Sequence, residues 1–136
     1  MKISILLPYK ENFSPTYAGA VSLFVKDTTK ISKFKKNITV YGNTDLKNIY
    51  NLSYKNIVLK KKLIQSGSRI YVEEFLKHEK KTPSDIIEIH NRPNYFHLIH
   101  EKTNKQKIVL YFHNDPLTMT GSRSISDRKK LLENAS

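Results

Sequence analysis

The sequence predicts an α/β fold: a Rossmann-like, mostly parallel sheet with helices on both faces. Three observations carry that prediction. Short aliphatic runs at residues 2–7, 38–41, 86–89 and 108–112 alternate with longer stretches of helical periodicity. Two of these runs end alike, in His90-Asn91-Arg92-Pro93 and His113-Asn114-Asp115-Pro116. A helical pattern fills the interval between those two endings, which is the layout of a β-α-β unit with parallel strands.

Each element has its own reason. Lys-Ile-Ser-Ile-Leu-Leu reads as a buried first strand, closed by Pro8. A polar loop over 9–17 leads to a helix from Gly19, with Val21, Phe24, Val25, Thr28 and Ile31 on one face and a charged end over 30–36. Residues 38–41 form a second strand, stopped at Gly42-Asn43. Ile57-Val58-Leu59 reads as a short edge strand blunted by the lysines at 60–62. Ser68 caps a helix to about Lys80, with Ile70, Tyr71, Phe75 and Leu76 inward. The first tetrad strand follows Pro83. Asn91 then caps a helix over 93–102, with Pro93 in its first turn. After the second tetrad strand, a loop around Gly121 precedes a last helix capped by Ser124 or Ser126, carrying Leu131 and Leu132 and still running at Ser136. A further strand is expected there, so the chain is read as one Rossmann-like domain over 1–136 that stops short at its C-terminal side.

Composition narrows the function. The 136 residues hold no cysteine, which excludes disulfides and thiolate metal sites and fits a reducing compartment. No apolar run reaches the length of a membrane span, and the N-terminal run is too short for a signal peptide. A cytoplasmic protein is therefore expected. The net charge of +12 includes Lys35, Lys36, Lys80, Lys81, Lys105 and Lys107, which follow helices and precede strands. They belong on the rim opposite the two histidines, where they solubilise the surface or meet an anionic lipid face. No helix-turn-helix or RNP-like pattern is present, and the charges flank separate elements, so nucleic acid is not the expected partner.

The candidate chemistry lies where the strands end, because open parallel sheets bind ligands at their C-terminal edge. None of the four glycines completes a dinucleotide or P-loop fingerprint. Gly19 and Ala20, opening a helix, are candidates for a phosphate contact. His113 is the candidate to hydrogen-bond a hydroxyl, with Asp115 as a base or hydroxyl ligand. Tyr9, His90, Arg92 and Asn114 stand at the same edge as substrate-binding candidates; Arg92 suits a phosphate or carboxylate. His90 is the weaker histidine, since helix capping accounts for the residues after it. His97 and His100 compete with Phe96, Leu98 and Ile99 for the buried face of their helix, so no metal site is expected.

These residues together resemble the N-terminal domain of retaining GT-B glycosyltransferases of the large family 4 type, which build lipopolysaccharide cores and other glycans. The resemblance rests on the Lys-Ile-Ser-Ile-Leu-Leu-Pro strand, on Tyr17-Ala18-Gly19-Ala20 opening a helix, and on Tyr111-Phe112-His113-Asn114-Asp115-Pro116 followed by the helix over 128–135. It implies a glycan or lipid-linked acceptor, and a nucleotide-sugar donor held mainly by a second Rossmann-like domain. It also implies Gly19 near the donor diphosphate, His113 on a sugar or acceptor hydroxyl, and no metal or other cofactor. Ala18 departs from the family's usual glycine and narrows the room for a phosphate. On that expectation the chain alone is inactive. The competing expectation is a basic α/β module that binds anionic lipid or nucleic acid without catalysis. A flavodoxin-like ligand domain is the weakest alternative, since Glu11 is the only acid near the end of the first strand.

Overall fold

The computed structural model describes residues 1–59, 64–103 and 105–136. Five strands, β1 (Ile3–Leu6), β2 (Ile38–Gly42), β3 (Tyr54–Asn56), β4 (Ile86–His90) and β5 (Lys107–Tyr111), form one sheet in the order β3-β2-β1-β4-β5. Every pairing is parallel. The chain steps outward from β1 to β2 and β3, then returns to add β4 and β5 on the other side of β1. Right-handed crossovers in those two directions place helices on opposite faces. Accordingly α1 (Ala20–Ile31) packs Val21 and Val25 against Ile5, Leu7, Ile38 and Val40. The other face receives α2 (Gly67–Lys81), α3 (Pro93–His100) and α4 (Ile125–Asn134), which gather around Leu6, Tyr41, Ile87, Ile89 and Ile108. Neighbouring residues of a strand point to opposite faces, so Ile5 and Leu6 serve different cores.

Two buried polar contacts lock the layers. The Tyr71 hydroxyl on α2 donates to the carbonyls of Leu7 and Tyr41, at the ends of β1 and β2. Burial raises the pKa of that phenol well above its ordinary value, so it remains a donor. At the other edge, the buried Glu79 carboxylate accepts from the Ser4 hydroxyl and from the backbone and hydroxyl of Ser84. Three donors offset the cost of burying a carboxylate there.

Several expectations about element ends are corrected. On α1 the buried stripe is Val21, Ser22, Val25 and Thr29, one position round from the expected face. Thr28 is exposed and turns its hydroxyl back to the Phe24 carbonyl, and Ile31 is 85% exposed because the helix ends before that face returns to the sheet. The edge strand is Tyr54–Asn56, not residues 57–59. Tyr54 stacks on Phe13 and bonds Thr44, which fixes the edge there, and Ile57 drops from the strand end into the α2 core. The blunting lysines at 60–62 lie outside the described residues. Ser66 caps α2 in place of Ser68, accepting from the Arg69 N–H, and the helix starts two residues earlier. α3 stops at His100, before the expected Lys102. Ser124 caps α4, through the Asp127 N–H. Leu131 is buried but Leu132 is 85% exposed, and Ala135 is extended rather than helical. The Ser136 N–H then donates to the Ile108 carbonyl of β5. No helix among the described residues is long and apolar enough to cross a membrane.

Candidate functional site

The order of the strands reverses at β1, and the loops after β1, β4 and β5 share the C-terminal edge of the sheet. This is the crevice where parallel α/β sheets bind ligands. Both tetrads stand on that edge, as their sequence positions require.

β4 aims Ile87 and Ile89 at the α2 and α3 face, so Glu88 and His90 point to the α1 face. His90 has 0% exposure. Its ring stacks nearly parallel on Tyr111 of β5, at 5.1 Å between centroids and 7° between planes. Phe24 of α1 lies across both imidazoles, 5.8 Å from the His90 ring and 5.0 Å from the His113 ring, edge-on to the latter. Phe24 was expected inside the α1 core. Instead it borders the histidines, 38% exposed, as part of their wall.

The two histidines touch. His90 Nδ1 lies 2.9 Å from His113 Nε2, and His90 Nε2 lies 2.6 Å from Glu88 Oε1. His90, expected to be the weaker of the two because helix capping accounts for the residues after it, is the middle member of a Glu88–His90–His113 series. Among the described residues no third contact is made to the remaining His113 nitrogen, Nδ1, and the residue itself is exposed. Partial burial lowers the His113 pKa below the ordinary histidine value; proximity to His90 adds to the drop, and Glu11 opposes it. The imidazole is therefore neutral at neutral pH, and a neutral ring has one acceptor nitrogen. The three groups bond in series through the His90 ring rather than converging on a point, and no described group of three His or acidic side chains is arranged to hold a metal.

Asn91 does not cap α3, whose cap position is Arg92. It sits at φ +56 with its side chain turned to the neighbouring strand end. Its N–H donates to the Tyr111 carbonyl, and its Oδ1 accepts from the N–H groups of both His113 and Asn114. The ladder between β4 and β5 is thus prolonged by a side chain, which fixes the backbone that carries His113. Asn is among the few residues that tolerate a left-handed backbone there.

The other candidates divide. Arg92 donates from Nη1 to the Asn91 carbonyl and braces the same turn. Asn114 takes part through its N–H, while its side chain is exposed. Asp115 caps the 3₁₀ turn Pro116–Thr118 by accepting from the Leu117 N–H, and no described hydrogen bond ties it to either histidine. Tyr9 packs toward the opposite face, its ring against Tyr71 and its N–H on the Tyr95 hydroxyl. At the start of α1, the Glu11 carboxylate accepts from the Ser22 N–H, and a Cβ on Gly19 would lie 2.1 Å from Glu11 Oε1. Gly19 and Ala20 therefore admit the chain's own carboxylate where a ligand phosphate was expected; a side chain at position 19 would make the Glu11 carboxylate give way. His97 and His100 serve α3: His97 Nε2 bonds the Gly121 carbonyl, and His100 stacks on Phe96.

Sequence reasoning missed Glu88, Asn91 as a clamp, and Phe24 as a site wall. The i, i+2 spacing of Glu88 and His90 was a readable sign, since alternate residues of a strand share a face.

At the opposite edge, the lysines before β2, β4 and β5 are exposed, as their places in the sequence predict. A cleft of about 1160 Å³ opens there; Lys77, Lys80, Lys102, Lys105 and Lys107 line it together with the carboxylates of Glu73, Glu79 and Asp85.

No family model matches the chain, and no curated protein or solved structure matches it.

Proposed function

We propose that this chain is the acceptor-side domain of a retaining, GT-B type glycosyltransferase that moves a sugar from a nucleotide-sugar donor to a glycan or lipid-linked acceptor. The supporting observation is the exposed His113 imidazole, with a free nitrogen, at the strand-order reversal of a parallel sheet. A neutral polar group fixed among aromatic rings suits a sugar hydroxyl better than an ion. Phe24, edge-on to the His113 ring, and Tyr111 are each partly exposed there. In this reading a second Rossmann-like domain holds the nucleotide, because a diphosphate arriving at Gly19 and Ala20 competes with Glu11 for the helix end. Chemistry then proceeds by positioning and by electrostatic stabilisation of the departing diphosphate, without metal.

The test uses the 136-residue chain with a panel of nucleotide sugars and acceptor glycans. No transfer and no micromolar nucleotide binding are expected, while acceptor glycans perturb the ring signals of His113. Micromolar nucleotide binding by this chain would sink the two-domain account. In the two-domain enzyme, His113→Ala is expected to lower turnover by about 10²-fold. An unchanged rate would leave His113 as a turn residue.

The lysine-rimmed cleft supports a further element of the reading, a peripheral contact with an anionic membrane on the cytoplasmic side. Binding to phosphatidylserine vesicles that fails on neutral vesicles, and weakens with salt, is the expected result. Salt-sensitive binding to nucleic acid, together with no response to any glycan, would favour the non-catalytic basic module instead.

A further inference from the structure

We infer that Glu88 and His90 are positioning residues that set the hydrogen-bond direction of His113, so that its outward nitrogen Nδ1 accepts and the group it receives is a hydroxyl or another neutral donor. An ionised Glu88 carboxylate only accepts, so the 2.6 Å contact requires a proton on His90 Nε2. A neutral His90 with its proton on Nε2 has a lone pair on Nδ1. That nitrogen lies 2.9 Å from His113 Nε2, which must therefore donate. A neutral His113 with its proton on Nε2 carries a bare lone pair on Nδ1. One carboxylate thus determines the state of an atom two rings away, by the logic through which a second group selects the tautomer of a functional histidine.

The surroundings leave this order undisturbed. Among the described residues, the charged and titratable groups seen about the pair are Glu88 on β4, Glu11 on the loop before α1, Tyr111 on β5, and Arg92, which is turned to the Asn91 carbonyl. α1 contributes the uncharged Phe24. Glu11 is engaged with the Ser22 N–H.

The series also has a definite response to acid. If the pair takes up one proton and it lodges on His113, both His113 nitrogens carry hydrogen. If it lodges on His90, both nitrogens of that ring donate, His113 Nε2 must accept, and the remaining His113 proton moves to Nδ1. Either placement turns the outward atom from acceptor to donor. A ligand hydroxyl recognised through its hydrogen is then lost, whichever ring holds the charge.

Identifying that ligand as a sugar rests on the proposed function; the proton order does not. The experiment is ¹⁵N-detected NMR of the histidine rings in the full 136-residue chain, without any ligand. In mildly alkaline buffer, protons are expected on Nε2 of both His90 and His113, with a coupling across the hydrogen bond from His113 Nε2 to His90 Nδ1. In Glu88→Leu, His90 loses its acceptor and can place its proton on Nδ1, so a rise in the fraction of His113 protonated at Nδ1 is expected. His97, bonded to the Gly121 carbonyl, reports that the variant is folded. A wild-type His113 protonated at Nδ1 in that buffer overturns the inference, and so does a folded Glu88→Leu with both ring patterns unchanged. If that variant does not fold, the wild-type pattern decides alone. Failure of glycan binding leaves these readouts standing, so the two proposals fail separately.

Discussion

The tetrads that end β4 and β5 share three of four residues, His, Asn and Pro, yet their environments differ at every position. His90 is enclosed by Tyr111, Phe24 and His113, with both ring nitrogens engaged. His113 leaves one nitrogen to solvent. Asn91 is buried and clamps the facing backbone; the Asn114 side chain is exposed. Pro93 opens an eight-residue helix, whereas Pro116 opens one 3₁₀ turn. The cause is strand position. β4 is paired on both sides and flanked by β1, so its end lies inside the molecule. β5 is the last strand of the sheet, with the Ser136 N–H on its outer side, so its end projects. Equal residues at neighbouring strand ends thus become support and working surface.

The sharpest way to break this comparison is to truncate each histidine. His90→Ala removes a fully buried ring, empties the space between Tyr111 and Phe24, and leaves Glu88 without its partner. A loss of about 2 to 4 kcal/mol in urea unfolding is expected. His113→Ala removes an exposed ring but also the partner of the buried His90 Nδ1, so a smaller loss, of about 0.5 to 1.5 kcal/mol, is expected. Equal losses would mean that the two ends are not divided into support and surface.

The asparagines sharpen the same division at smaller amplitude. Asn91→Ala deletes an acceptor for two N–H groups and puts alanine at φ +56, where a Cβ is disfavoured. A cost of about 1 to 3 kcal/mol is expected. Asn91→Gly relieves the backbone but not the lost acceptor, so it should recover only part of that loss. Asn114→Ala should be near neutral. Full recovery by glycine would assign the role of Asn91 to its backbone alone.

Much of this was open to reading in the sequence. The order of elements and the shared edge of the tetrads follow from aliphatic runs, helical periodicity and the rule that parallel strands carry ligands at one end. What escaped depends on distance across the sheet. Whether His90 meets His113 is a matter of register, and nothing local to either tetrad states that His90 aligns with Tyr111. Asn followed by Arg-Pro is ordinary helix-start chemistry, so the use of Asn91 as a clamp on another strand was hidden by an adequate local explanation. The role of Gly19 depended on Glu11, eight residues earlier, folding back over the helix start. The placement of Phe24 beside the histidines, and the exposure of Ile31 and Leu132, depended on where each helix sits over a narrow sheet.

The smallest effect is electrostatic and confined to one residue. The folded-state pKa of His113 lies below the value it takes in the unfolded chain, chiefly through partial burial and then through His90. Between those two values the unfolded chain binds more protons, so stability rises with pH across that interval. The contribution is complete above the unfolded value, about 6.5, and is lost as pH falls through the lowered folded value. His113→Asn, which cannot titrate, should flatten that part of the Tm-against-pH curve. The exposure of His113 keeps the slope shallow, because solvent screens an exposed charge. If the wild type and His113→Asn run parallel from neutral to mildly acid pH, the ring of His113 is less enclosed by Phe24 and His90 than their 5.0 and 5.2 Å centroid separations require.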